Sequence, residues 1–162
     1  MAKRIFLLLS LLLVSLNCGR DRSAGGDRMD NGGFVRFSVE GKAMHDNYFV
    51  AQFTPAGDLL QRDNLQLYNY NPGSDKFPQL LMDINLKESD LKKWQSQSLA
   101  TDVLAFSVSS QSPPLRSTGQ VKIAHVTDQF VQGSFSGEMV NPQTGKTFSI
   151  HGEFNAVLKI NI

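Results

Sequence analysis

From Phe34 onward, apolar and polar residues alternate with a period of two, the spacing of a strand with one buried face. Val35, Phe37 and Val39 share one face of a first strand that ends at Glu40-Gly41-Lys42, and Phe49, Ala51 and Phe53 share a face of the next. A third strand sets Leu65 and Leu67 opposite Tyr68 and Tyr70, and a fourth sets Leu80, Met82, Ile84 and Leu86 opposite Asp83 and Asn85. Leu104, Phe106 and Val108 mark a fifth, followed by a serine-rich loop over 107–117 with Pro113-Pro114. Val121 and Ile123 mark a sixth that can extend to His125, and Val131, Phe135 and Met139 mark a seventh. The run from Phe148 to Ile160 supplies one or two more. Ser89 to Gln95 breaks the pattern: a capping residue precedes Leu91 and Trp94, three apart, which predicts a helix of two to three turns with Trp94 packed as a lid.

Eight or nine strands joined by short polar turns predict an all-β domain over 34–162, an antiparallel meander closed as a β-barrel or stacked as a β-sandwich, with one short helix. A doubly wound fold would need helices between the strands. Gly133, Gly137 and Gly152 fall on the inward phase, where bent strands need close backbone approach.

The N-terminus follows a different rule. Ile5 to Leu16 is charge-free and follows Lys3-Arg4; as a helix it reaches roughly 18 Å, short of a bilayer core of about 30 Å, so it reads as a signal segment. Val14-Ser15-Leu16-Asn17-Cys18-Gly19 resembles a bacterial lipoprotein signal peptide with a lipobox of the relaxed kind familiar from spirochaetes, Ser15 and Asn17 standing where Leu and a small residue are usual. The resemblance implies a signal peptide over 1–17, removed in processing, and diacylglyceryl and acyl (palmitate-type) groups on Cys18. Two or three acyl chains suffice for stable anchoring, whereas one is marginal. Gly19 to Gly33 is glycine-rich and charged with one large apolar residue, Met29, which makes 18–33 a lipidated, flexible tether. The expected location is a bacterial cell envelope, on the outer membrane.

Charge and cysteine content narrow the function. Lys plus Arg total 16 against 15 Asp plus Glu, a net charge of +1 with no dense basic run, which gives no reason to expect a nucleic-acid partner. One cysteine forms no internal disulfide or cysteine-rich zinc site, and three scattered histidines do not replace it, so no metal or cofactor is expected. Gly145-Lys146-Thr147 has the tail of a phosphate loop, but Val140 stands where its first glycine belongs. In Gly133-Ser134-Phe135-Ser136-Gly137, Phe135 takes the nucleophile's place. His45-Asp46 and His151-Glu153 are the remaining acid–base or metal pairs, and both read as surface or structural.

Phe-Ser-Val-Glu-Gly-Lys-Ala (37–43), Val-Gln-Gly-Ser-Phe-Ser-Gly (131–137), Thr-Gly-Lys-Thr-Phe-Ser-Ile (144–150) and His-Gly-Glu-Phe (151–154) are similar to small uncharacterised bacterial lipoprotein domains of lipocalin-like or β-sandwich character. That resemblance implies no catalytic residues. The expectation is a non-enzymatic, lipid-anchored protein that binds a ligand or a macromolecular partner, with Tyr68 and Tyr70 as a candidate exposed contact face. The alternative is a structural or surface-interaction lipoprotein with a filled core and no pocket. Replacing Cys18 by alanine should move the protein from the membrane to the soluble fraction, as followed by fractionation and immunoblotting; retention on the membrane would refute lipidation.

Overall fold

The computed structural model describes residues 32–57, 62–87 and 90–161. The signal segment, Cys18 and nearly all of the tether lie outside the described residues, as does Ser89. Within them the chain is all-β. Its strands are β1 (Phe34–Val39), β2 (Lys42–Asp46), β3 (Val50–Thr54), β4 (Asp63–Tyr68), β5 (Gln79–Leu86), β6 (Ser98–Ala100), β7 (Val103–Ser107), β8 (Leu115–Ser117), β9 (Gly119–Val126), β10 (Phe130–Val140) and β11 (Thr147–Ile160). All eleven belong to one mixed sheet in the order β2-β1-β11-β3-β4-β5-β7-β8-β10-β9-β6, with β10 also paired to β11.

Two expectations about the sheet itself need correction. The sheet has more strands than eight or nine because β2, β6 and β8 are short, and three to five residues carry too little alternation to be read. β8 is drawn from the serine-rich segment expected to be wholly loop, whereas Val108 lies beyond the end of β7 and is 56% exposed. Nor is the sheet wholly antiparallel, since β3 runs parallel to β11, Val50 opposite Val157 and Phe53 opposite Ile160. The cause is a length mismatch. β1 pairs antiparallel with β11 only as far as Phe34 opposite Asn155, leaving the end of the 14-residue β11 without a partner on that edge. β2 already runs in the direction of β11 on the far side of β1. The three residues 47–49 step the chain sideways into the vacant place, and it continues as β3 in the same direction.

The sheet folds over so that its inward phases meet. Phe37 of β1 packs edge-on against Phe106 of β7, ring centroids 5.8 Å apart, and Phe49 against Phe154 at 5.6 Å. Leu65, Leu67, Leu80, Met82 and Ile123 are fully buried in the same core. The expected helix is a single 3-10 turn, Leu91–Trp94, whose Asp90 side chain accepts from the Lys92 amide at 3.0 Å. Trp94 is 1% exposed and packs on Phe53 at 5.2 Å, the lid role read from the sequence.

Of the buried polar residues described, Asn69 is embedded most deeply in this frame. Asn69, with no exposed surface, donates through Nδ2 to Asp46 Oδ2 and to the Pro78 carbonyl, both at 3.0 Å, and accepts from the Leu80 amide at 2.7 Å. It ties the end of β2 to the ends of β4 and β5, and its complete pairing is what makes its burial tolerable.

A tight backbone approach occurs at Gly152, which lies between Phe37 and Phe135 in register. A Cβ there would stand 2.5 Å from the Arg36 carbonyl oxygen and 2.6 Å from Phe37 Cβ, neither of which is a flexible side-chain end. Gly152→Ala should therefore cost about 2–4 kcal/mol in a denaturant titration. Gly57→Ala, with nothing within 4 Å, should stay within about 0.5 kcal/mol of the parent.

Candidate functional site

Strand alternation decides which of the sequence's candidate residues meet. On β2, His45 and Asp46 are adjacent and so point to opposite faces. Asp46 turns inward, where Oδ1 accepts from the Tyr48 amide at 3.1 Å and Oδ2 from Asn69. His45 turns outward and is exposed, so the two form no acid–base pair. On β11, His151 and Glu153 are two apart and share the outer face.

The register of β1 then brings these residues together. Arg36 lies between His45 on β2 and Glu153 on β11, and Ser134 of β10 stands beyond Glu153. In the next row, Ser38 lies between Ala43 and His151, with Ser136 beyond. A row of mostly long side chains thus lies beside a row of mostly short ones across four strands. Between them is an open concavity of about 800 Å³ whose floor is formed at Phe37, Gly152 and Phe135. Arg36, Ser38 and Ser134 were not singled out from the sequence, although the outward phase of β1 and β10 carried the signal.

The electrostatics of this face are soft. Arg36 Nη1 lies 3.5 Å from Glu153 Oε1, but both side chains are 62% exposed, so the pair contributes little to stability and leaves both groups accessible. The Arg36 guanidinium also sits 5.0 Å from the centroid of the Phe34 ring. Among the described residues, no group of three or more His, Cys, Asp or Glu is placed to hold a metal ion.

A second hollow lies at one end of the folded sheet. Val39 and Met44 on one side, and Phe106 and Leu115 on the other, enclose about 440 Å³ above Phe148. Its rim carries Glu40, held by Lys146 Nζ at 3.0 Å. The outer face of β4 and β5 is more self-contained: Asp83 accepts from Asn64 Nδ2 at 2.5 Å and from Gln66 Nε2 at 3.0 Å.

The tyrosine face expected at Tyr68 and Tyr70 is not an exposed patch. Tyr68 is only 8% exposed, because both faces of β4 are covered: Leu65 and Leu67 face the main core, while Tyr68 packs with Tyr48 and Val50 in a small outer cluster against which Tyr70 and Leu81 lie. The Tyr68 and Tyr70 rings touch at 5.7 Å. Tyr68 donates to Gln52 Oε1 at 2.8 Å and Tyr48 to Asn71 Oδ1 at 2.5 Å. Burial pushes all three phenols above their ordinary 10.0, and Tyr48 and Tyr70 push Tyr68 further, so they stay protonated donors at neutral pH.

No protein-family model matches the chain, and neither a curated protein nor a solved structure matches it.

Replacing both Tyr68 and Tyr70 by alanine should remove about 3 kcal/mol or more of folding stability, the range of buried aromatic truncations, as measured by thermal or denaturant unfolding. An unchanged transition would mean that the cluster does not pack as described.

Proposed function

We propose that the chain is a lipid-anchored protein of a bacterial cell envelope, held to the outer membrane through Cys18, whose β domain acts by binding rather than by catalysis. The apolar run ending at Cys18 supports the anchor. Among the described residues, no helix is long and apolar enough to cross a membrane.

The observation that carries the binding reading is the outer concavity, where His45, His151, Arg36 and Glu153 surround a floor set by Phe37, Gly152 and Phe135. A hollow of this volume with polar groups at the rim and apolar surface beneath has the composition of a ligand or partner site. The interior offers less room. Rings from Phe37, Phe106, Phe135 and Trp94 occupy the space between the folded halves of the sheet, which favours contact on the outer surface over an internal calyx. That filling is also what the alternative reading requires, a surface-interaction lipoprotein with a packed core. The pairing of β10 with both β8 and β11 supports barrel-like closure of the sheet.

A photo-crosslinking residue placed at Ser134, on the wall of the concavity, tests the reading in cells. Irradiation should give an adduct of defined mass that is lost when Arg36 and His151 are both changed to Glu. The same probe at Lys159, exposed on the far part of β11, should give none. Equal labelling at the two positions, or no adduct at Ser134, would refute binding at this face.

A further inference from the structure

The strand order leaves β2 at one end of the sheet, with no strand among the described residues paired to its outer edge. The hairpin that makes β2 fixes which of its groups are free. Glu40 and Gly41 both have positive φ, 51° and 77°, the two-residue turn whose twist suits a tight hairpin, and Val39 faces Lys42 as the closing pair. Hydrogen-bonded pairs alternate along an antiparallel ladder, so Lys42, Met44 and Asp46 exchange bonds with β1, while Ala43 and His45 turn their amides and carbonyls to the outer edge. Such an edge is a template for a further strand.

The surroundings of this edge are built for one. The side chains of Ala43 and His45 line the outer concavity, and those of Lys42 and Met44 line the end hollow. A strand added here would send alternate side chains into the two depressions. Val108, the most exposed large apolar residue among those described, lines the end hollow together with Met44.

We propose that the occupant is a second copy of this chain, joined β2 to β2 in an antiparallel two-fold pairing centred on Met44. The five residues Lys42-Ala43-Met44-His45-Asp46 are self-complementary in that register alone. Ala43 of each copy faces His45 of the other, so the residues with free backbone groups meet and four N–H···O bonds form. Met44 faces Met44, and Lys42 stands opposite Asp46, whose side chain stays turned inward to the Tyr48 amide and Asn69. Sliding the register by one residue sets free backbone groups against those already bonded to β1. Sliding it by two keeps only one of the bonding pairs within the strand and places His45 on His45 or Lys42 on Met44. The flexible thioethers at the centre can fill the end hollows, adding apolar burial to the backbone bonds.

The pairing bears on the site as well. It continues the sheet through the two-fold axis and sets the two outer concavities side by side, with His45 of the second copy beside Ala43 on the wall of the first. It does not rest on the ligand-binding reading, since the pairing forms with or without a ligand.

The test uses the full-length chain with Cys18 replaced by alanine. In an antiparallel pair that is not hydrogen-bonded, facing Cα atoms lie about 4.5 Å apart, within disulfide reach. Met44→Cys should therefore give an oxidised dimer on a non-reducing gel, and Lys122→Cys, exposed on β9, should not. A second arm places like charges across the seam. Ala43→Glu with His45→Glu, and separately Ala43→Lys with His45→Lys, should each weaken self-association at least about tenfold by analytical ultracentrifugation. Mixing the two should restore a mixed dimer, which unfolded variants would not do. A parent chain that sediments as a monomer at every concentration, or equal cross-linking at Met44 and Lys122, would overturn the inference; an edge left single in that way would be open to an extended segment of another protein.

Discussion

The architecture depends on one strand having more edge than any single partner can cover. β11 is 14 residues long. On one side it carries β10 from Thr147 to Val157; on the other it is divided between β1, which reaches Asn155, and β3, which begins at Val157. Without that division β1 and β2 would be an isolated hairpin, marginal in water, and β3 to β5 would reach the β10–β11 pair only through β7 and β8. The sideways step at 47–49 joins the two segments, and Asn69 holds the step in place by reaching from the end of β4 to Asp46 at the end of β2. Close approach at Gly152 lets the same strand run between Phe37 and Phe135.

Much of this was legible in the sequence. The inward phase was read directly from Val35, Phe37 and Val39, from Phe49, Ala51 and Phe53, and from Leu80 to Leu86, because a buried face demands apolar residues at every second position. What escaped depended on partners distant in the chain. Lys42 to Asp46 contains one partly buried apolar residue, so only its pairing with β1 makes it a strand. The parallel match of β3 to β11 joins residues more than a hundred positions apart, and no local pattern encodes it. Tyr68 alternates as an outward residue should, yet Tyr48 and Tyr70 cover it, and that cover comes from outside its strand.

The candidate site repeats the lesson at the level of chemistry. Adjacency made His45 and Asp46 look like a pair, and the period of two separates them by the thickness of the sheet. Residues 45, 151 and 153, far apart in the chain, come onto one surface because β1 lies between their strands. The hollow itself is made by what is small there, Ala43, Ser38, Ser134 and Gly152, more than by the charged groups that rim it.

The place of β11 in the chain also sets a timetable. β1, β3 and β10 all pair with it, and Phe34 finds its place opposite Asn155 only when the last strand is present. Ladders that join distant residues form slowly, because loop closure must precede the contacts that reward it. A chain emerging from its N-terminus would hold most of its length without a completed sheet until residue 160 is free. Under the export proposed above, a closing strand placed so late would keep the chain in a state that translocation machinery can still move.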